Sequence, residues 1–470
     1  MKLGELLSGI DILQTDIENF DIEISGIGDD CDEVGENEIF VALRGVHHDG
    51  HKYISSAVKN GVAVILCERK PVNLKAHFVR VKSTRSAYAV VWNNFCGCPC
   101  ERLKFIGVTG TNGKTTTVKL IEHILDTAGF QVQSIGTLNA PLTTPDPPVL
   151  YPMLADMVNN GIEYAVMEVS SHSLYFDKLY PIKFKIGIFT NLSSEHLDFH
   201  KNMYDYAKAK AKLFGKSEIC VYNLDDKFSQ SVCKDAGYKL SYAIDDPGAD
   251  YTAESIGLDF ENISFTVMGK GRTAELKVPL VGRFNVYNIM AAYIGAKCLG
   301  IDSEIIKNAL STLPKINGRL DRVETNDGRR IFIDYAHTPD AVAKVLSSLR
   351  ECSKEGQKIT VVFGCGGDRD KSKRPMMGKI ATELADYCII TSDNSRSEDP
   401  YSIIKDIVKG IEKKNYLIIA ERRSAIEYAV RRSSGNDVLV FLGKGHEKYE
   451  INIMGKIPFD ERAVIENALE

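Results

Sequence analysis

The sequence predicts an α/β protein of three domains. A small N-terminal α/β domain spans residues 1–100, a central doubly wound parallel-sheet domain with a phosphate-gripping P-loop spans 101–319, and a C-terminal Rossmann-like domain spans 320–470. Three observations predict it. The chain has 470 residues, too many for one ordinary core at about 100–200 residues per domain. Short apolar runs alternate with stretches of helical periodicity, as strands feeding helices require. The pattern also restarts twice, after the Gly/Cys/Pro-rich stretch at 96–100 and after Leu313-Pro314-Lys315-Ile316-Asn317-Gly318-Arg319.

In the first domain, Ile39-Phe40-Val41-Ala42-Leu43 and Val62-Ala63-Val64-Ile65-Leu66 read as strands flanking a helical stretch from Tyr53 to Asn60. In the second, Phe105-Ile106-Gly107-Val108, Tyr164 to Val169 and Ile186 to Thr190 read as strands separated by helices. In the third, Arg330 to Tyr335, Ile359 to Gly364, Tyr387 to Thr391 and Val438 to Gly443 read as buried strands, each running into polar residues. Ligand sites are expected at those carboxyl ends.

Composition narrows the class. The chain is 44% hydrophobic and 26% charged, which is globular, and its net charge of −5 is spread without a basic stripe. Small-molecule partners are expected, with no nucleic acid and no membrane insertion, and a monomer. The start, interrupted by Asp11, Asp16 and Glu18, lacks the apolar core of a secretory signal. A soluble cytoplasmic protein is expected, with its 11 cysteines mostly reduced. Cys96, Cys98 and Cys100 lack a second ligand pair nearby and read as free thiols in a linker.

The run Gly110-Thr111-Asn112-Gly113-Lys114-Thr115-Thr116 follows an apolar strand and precedes a helical pattern. Backbone N–H groups of such a loop face phosphates, Lys114 neutralises them, and the Thr115 hydroxyl suits Mg²⁺. ATP is the expected cofactor. Glu168, ending the strand before Val169-Ser170-Ser171-His172, is a candidate Mg²⁺ ligand. His196, in the polar run after the next strand, is another.

These residues resemble a known family. Gly-Thr-Asn-Gly-Lys-Thr-Thr, Glu-Val-Ser-Ser-His, Asn-Leu-x-x-x-His-Leu-Asp and Asp-Tyr-Ala-His-x-Pro-Asp occur in the order typical of Mur ligases. These are the ATP-dependent amino-acid ligases of peptidoglycan precursor synthesis. Gly364 to Asp370, Lys373-Arg374-Pro375 and Gly443-Lys444-Gly445-His446-Glu447 resemble the MurE type, which adds the third peptide residue.

The resemblance implies roles residue by residue. Lys210, three residues before Leu213-Phe214, would carry a CO₂-derived carbamate that supports one of two Mg²⁺ ions. A carbamate turns a cation into an anionic oxygen ligand suited to a hard metal. Asn288 would meet adenine, while Arg319 and Asp334 would close over phosphate and ribose from the third domain. Lys114, Glu168, His196, Lys210 and Arg319 form the implied catalytic set, with Thr115, Glu168, His196 and carbamylated Lys210 on metal. Arg374, Asp393, Asn394, Arg396, Gly443 and Glu447 would form an amino-acid pocket in which an arginine fork suits the second carboxylate of meso-diaminopimelate. Ser395 stands where relatives carry proline.

On the acceptor side, Cys31, His47, His48, Thr143, Thr144, Ser170 and Lys178 match positions that contact a UDP-linked muramoyl dipeptide. The chain departs there, with Asp30-Cys31-Asp32 in place of an Asp-Ser-Arg run and Lys178 in place of an arginine. The implied activity is addition of meso-diaminopimelate to UDP-N-acetylmuramoyl-L-alanyl-D-glutamate through an acyl phosphate. Alternatives are L-lysine or another amino acid, a folylpolyglutamate-synthase-like ligase with a different acceptor, and a nucleotide-dependent regulatory protein.

Overall fold

Strands buried on both faces must be apolar throughout, and in a parallel sheet each needs a crossover to reach the next. The computed structural model of this chain, which describes residues 1–46, 48–71, 76–193, 199–269 and 271–470, realises this three times. Its described residues form sheets of five, nine and six strands, plus a two-stranded hairpin.

The first sheet runs in the order Ile12–Thr15, His77–Val81, Val64–Cys67, Glu38–Val41, Gly26–Gly28, parallel except for its first strand. In the central sheet the order is Val132–Ile135, Tyr164–Glu168, Lys104–Thr109, Phe184–Phe189, Ser217–Asn223, Tyr238–Ala243, Tyr251–Leu258, all parallel. Its first strand, Lys104–Thr109, has later strands on both sides, so a crevice opens at its carboxyl end. One finding differs from the expected purely parallel sheet: Ile263–Gly269 and Arg272–Val278 extend it as an antiparallel flank. These strands bury alternate residues and so lack the continuous apolar run that marks a central strand.

Helix Phe284–Cys298 is buried around most of its circumference because it is apolar around most of it. It packs on helix Lys114–Thr127 and so delivers Asn288 to the loop that opens that helix. The third sheet runs Asp321–Val323, Arg330–Asp334, Val438–Leu442, Ile359–Phe363, Tyr387–Ile390, Tyr416–Ile418, with only the first strand antiparallel. The 96–100 stretch ends helix Thr84–Phe95 and turns through Pro99–Glu101 into the central sheet, and all its cysteines are free thiols. No helix among the described residues is long and apolar enough to cross a membrane.

One buried ion pair fixes two strand ends of the third sheet. Arg422, 1% exposed, donates from Nε and Nη2 to Glu461 Oε1 at 3.0 and 2.6 Å. It also donates from Nη1 to the Ser392 carbonyl and from Nη2 to that of Leu442, at 3.1 and 2.9 Å. Those carbonyls immediately precede Asp393 and Gly443. Arg422→Ala leaves Glu461 buried without its cation and is expected to destabilise the chain by about 3–5 kcal/mol. Urea unfolding checks this, and the Arg422→Met/Glu461→Gln double variant should recover most of the loss.

Candidate active site

Strand Lys104–Thr109 leaves the sheet core through Gly110 and enters helix Lys114–Thr127 through Gly113 at φ 89°, a left-handed turn that favours glycine. A Cβ at Gly113 would stand 2.3 Å from Asn288 Oδ1, and one at Gly110 would stand 1.8 Å from Thr190 Oγ1. Helix and strand therefore press on the loop from both sides. Within it, Lys114 Nζ donates to the carbonyls of Gly110 and Thr111 at 3.0 and 2.8 Å. Lys210, 1% exposed on helix Met203–Phe214, donates to the same Gly110 carbonyl at 2.9 Å. Two lysines thus meet at one oxygen, beside the N-terminus of a helix. That is a setting for a polyanion.

Glu168, 2% exposed, is the centre of the adjacent cluster. Its Oε1 accepts from the Thr115 hydroxyl at 3.0 Å and the Thr137 N–H at 2.8 Å, and its Oε2 accepts from the Thr137 hydroxyl at 3.2 Å. Arg319 Nη2 donates to Thr115 Oγ1 at 2.9 Å while its guanidinium lies 5.0 Å from the Tyr335 ring centroid. Asn288 accepts from Thr117 at 3.4 Å and donates to Asn285 at 2.8 Å. Asp334 accepts from the backbone N–H groups of Leu320 and Ala336 at 2.7 and 2.8 Å, and burial raises its pKa. Lys114, Thr115, Glu168, Lys210 and Arg319 are thus brought together. His196 and His47 lie outside the described residues.

Sequence reasoning missed three contributors. Thr137 supplies two of the hydrogen bonds to Glu168. His200, 3% exposed, places Nε2 2.9 Å from Ser171 Oγ and stacks on Tyr206 at 4.9 Å. Tyr206 in turn touches Thr111 Oγ1 at 3.2 Å and lies under Lys210 Nζ at 4.6 Å. The position of His200 four residues after His196 was the available signal.

A second constellation sits at the carboxyl ends of the third sheet. Asn394 donates to Glu447 Oε2 at 2.8 Å and accepts from Lys444 Nζ at 2.6 Å and Ile451 N–H at 2.9 Å. Burial opposes the charge of Asp393, yet Lys444 and Arg422 hold its carboxyl below the usual range. Arg396, at φ 52°, spends Nη1 on the carbonyls of Gly367 and Asn394 at 2.8 and 3.3 Å. Its Nε and Nη2 have no hydrogen-bond partner among the described residues, leaving one edge of the fork for a ligand. Gly443 passes directly against Asp393. Arg374 is different. It is fully buried, with Nη1 on Glu398 and Asp406 at 3.0 Å each and Nη2 on Glu398 at 2.8 Å, so its fork is already occupied by acids.

The acceptor positions are spread between the first two sheets. Thr144 donates to the Glu168 carbonyl at 2.8 Å and accepts from Ser170 N–H at 3.0 Å, while Thr143 Oγ1 lies 3.2 Å from Thr137 Oγ1. Ser170 caps helix Ser171–Tyr175, and Lys178 pairs with Asp146 at 2.6 Å. Cys31 donates to Asp32 at 3.5 Å, and His48 is exposed with its carbonyl on Gly45 N–H at 2.6 Å. Near Glu168 the available donor set is hard oxygen, from Thr115 and a buried carboxylate, which fits Mg²⁺.

Glu398 has its carboxyl pushed down to about 2 by the Arg374 hydrogen bond. A folded-state pKa below the unfolded value adds stability that is complete above the ordinary carboxyl range and disappears as pH falls toward about 2. Glu398→Gln is expected to flatten the pH dependence of the unfolding midpoint between about 4.5 and 2, as measured by denaturant titration.

Family models match in order: Mur ligase family, catalytic domain, at residues 23–94; Mur ligase middle domain at 108–296; and Mur ligase, glutamate ligase domain, at 318–445. The UDP-N-acetylmuramoyl-L-alanyl-D-glutamate--2,6-diaminopimelate ligase of Clostridium tetani (strain Massachusetts / E88) is 42% identical, covering 100% of this chain and 99% of that one. A ligase of the same name from Caldanaerobacter subterraneus subsp. tengcongensis is 40% identical, covering 100% and 99%. A solved structure of a ligase of that name superposes with a TM-score of 0.71 at 29% identity, covering 100% and 98%. A MurF ligase from Thermotoga maritima in complex with ADP shares the fold at 20% identity, with a TM-score of 0.62 and coverage of 90% and 94%. With three family models matched in series and relatives near 40% identity along its whole length, this chain belongs to the Mur ligase family.

Proposed function

We propose that this chain is the ATP-dependent ligase that joins meso-diaminopimelate to UDP-N-acetylmuramoyl-L-alanyl-D-glutamate, acting as a cytoplasmic monomer. Domain boundaries near residues 100 and 320 accompany this reading. The observation that carries it is the Arg396 fork, one edge anchored on carbonyls and the other open, beside Asn394 and Glu447. The fork takes a carboxylate and Glu447 an ammonium, so the distal amino-acid centre of a diamino dicarboxylic acid is held by both charges while its other amine stays free to react; lysine has no carboxylate at its distal end.

The acceptor's terminal carboxylate attacks the γ-phosphorus of ATP, forming an acyl phosphate and releasing ADP. The incoming amine then adds to the acyl carbon, and the tetrahedral intermediate collapses with loss of phosphate. Lys114 and the loop N–H groups hold the phosphates in line, and Arg319 meets charge on the transferred group. The Lys210 amine, by adding CO₂ and losing a proton, becomes a carbamate. Thr115, Glu168, His196 and that carbamate would hold magnesium in two sites, and bound magnesium supplies charge neutralisation at the reacting oxygens. Thr143, Thr144, Ser170 and Lys178, with Cys31, His47 and His48, are read as the acceptor's contacts, Asn288 and Asp334 as those of the nucleoside, and Arg374 and Asp393 as support for the amino-acid pocket.

A second reading, a related ligase with another acceptor, is favoured by the two acids flanking Cys31. Phosphate release from ATP in the presence of the UDP-linked dipeptide and single amino acids separates the two. Release that depends on meso-diaminopimelate and is absent with L-lysine is the expected result, and release with neither would overturn the proposal. Arg396→Ala is expected to lower kcat/KM for the amino acid by about 30-fold or more, since a desolvated charge pair contributes about 2–5 kcal/mol. Lys210→Ala should abolish turnover, with no recovery in high bicarbonate. Substantial activity in that variant would refute the carbamate.

A further inference from the structure

The motif Asp334-Tyr335-Ala336-His337-Thr338-Pro339-Asp340 ends in an acid to which the ligase reading gives no role. Asp340 lies in the first turn of helix Pro339–Cys352, capped by Thr338. Its Oδ2 accepts from Asn112 Nδ2 at 2.9 Å, across 228 residues of sequence and from the second sheet's unit to the third's. The same oxygen accepts from Lys344 Nζ, one turn along, at 2.8 Å.

Asn112 is the residue of the phosphate loop best placed to transmit this contact. Its backbone N–H donates to Asn191 Oδ1 at 3.0 Å, and its carbonyl accepts from Thr190 Oγ1 at 2.7 Å and Asn191 Nδ2 at 3.0 Å. The backbone is therefore pinned to the end of strand Phe184–Phe189, and the side-chain amide reaches the third domain. We infer that Asp340 is a positioning residue that docks the third domain on Asn112, so that closure depends on the phosphate loop holding its gripping shape.

The geometry favours this over a purely local role. An acid in a first turn with a lysine four residues on stabilises a helix by itself and needs no third partner. Here a neutral amide from another domain enters the same oxygen, and the nearby Arg319, inside the matched glutamate ligase domain at 318–445, reaches Thr115 of the middle domain at 2.9 Å. A single hydrogen bond between domains, even to a neutral acceptor, is strong enough to bias a domain equilibrium by several-fold to about tenfold.

Because the inference rests in part on the ligase reading, the test carries a readout that does not need turnover. Asp340→Ala and Asp340→Asn are compared in the full-length protein. Asparagine keeps an acceptor for Asn112 but loses the charge that serves the helix and Lys344. Small-angle scattering with and without a non-hydrolysable ATP analogue reads closure, fluorescent ADP titration reads the central site, and steady-state assay reads kcat. The alanine variant is expected to lose nucleotide-driven compaction and about tenfold in kcat, with ADP affinity within about twofold of the parent. The asparagine variant should retain most of both. Equal behaviour of the two variants, or wild-type compaction in the alanine variant, would overturn the inference. If the parent shows no diaminopimelate-dependent turnover, scattering alone decides it, so failure of the ligase reading is seen separately.

Discussion

The carboxylate of Glu168 is the constraint on which the rest of this architecture depends. A charge that is 2% exposed must be hydrogen-bonded or it costs several kcal/mol. Thr115 and Thr137 meet that need, and each imposes a position on its own element: Thr115 sets the first turn of helix Lys114–Thr127, and Thr137 sets the turn after strand Val132–Ile135. Thr115 is also touched from the third domain. Arg319 reaches the hydroxyl of Thr115, and burial together with the nearby Arg319 lowers the pKa of His446. One acid thereby ties the phosphate loop, the sheet edge and the docking of the third domain into a single network.

The third domain solves a related problem differently. Its buried charges are neutralised in compact groups: Arg422 with Glu461, Arg374 with Glu398 and Asp406, and Lys444 with Asp393 and Asn394. These groups lock the loops that follow strands Ile359–Phe363, Tyr387–Ile390 and Val438–Leu442. Arg396 is the exception, held on one edge by carbonyls with the other edge available. Arg374, with Nη1 and Nη2 held by Glu398 and Asp406, braces the loops that carry those acids.

Much of this was legible in the chain. The phosphate loop was readable because its chemistry is contiguous, with the strand, glycines, lysine and hydroxyls falling within a few residues of one another. The parallel strands were readable because burial on both faces forces unbroken apolar runs. The antiparallel flank Ile263–Gly269 and Arg272–Val278 was not, since a half-exposed strand carries a weaker pattern. Thr137, His200 and Tyr206 were missed for another reason: threonine, histidine and tyrosine take their meaning from neighbours far away in sequence.

By itself the sequence determined the alternation of the main buried parallel strands with helices, the phosphate-loop motif and the family to which the chain belongs. These depend on local periodicity and on contiguous motifs, which survive without knowledge of the fold. Only the tertiary structure decided that Lys114 and Lys210 share the Gly110 carbonyl, that Arg374 is filled while Arg396 keeps an open edge, and that Asp340 reaches Asn112. Each of those depends on which side chains a doubly wound sheet brings to one edge. That is set by crossovers spanning tens to hundreds of residues, and no local pattern encodes it.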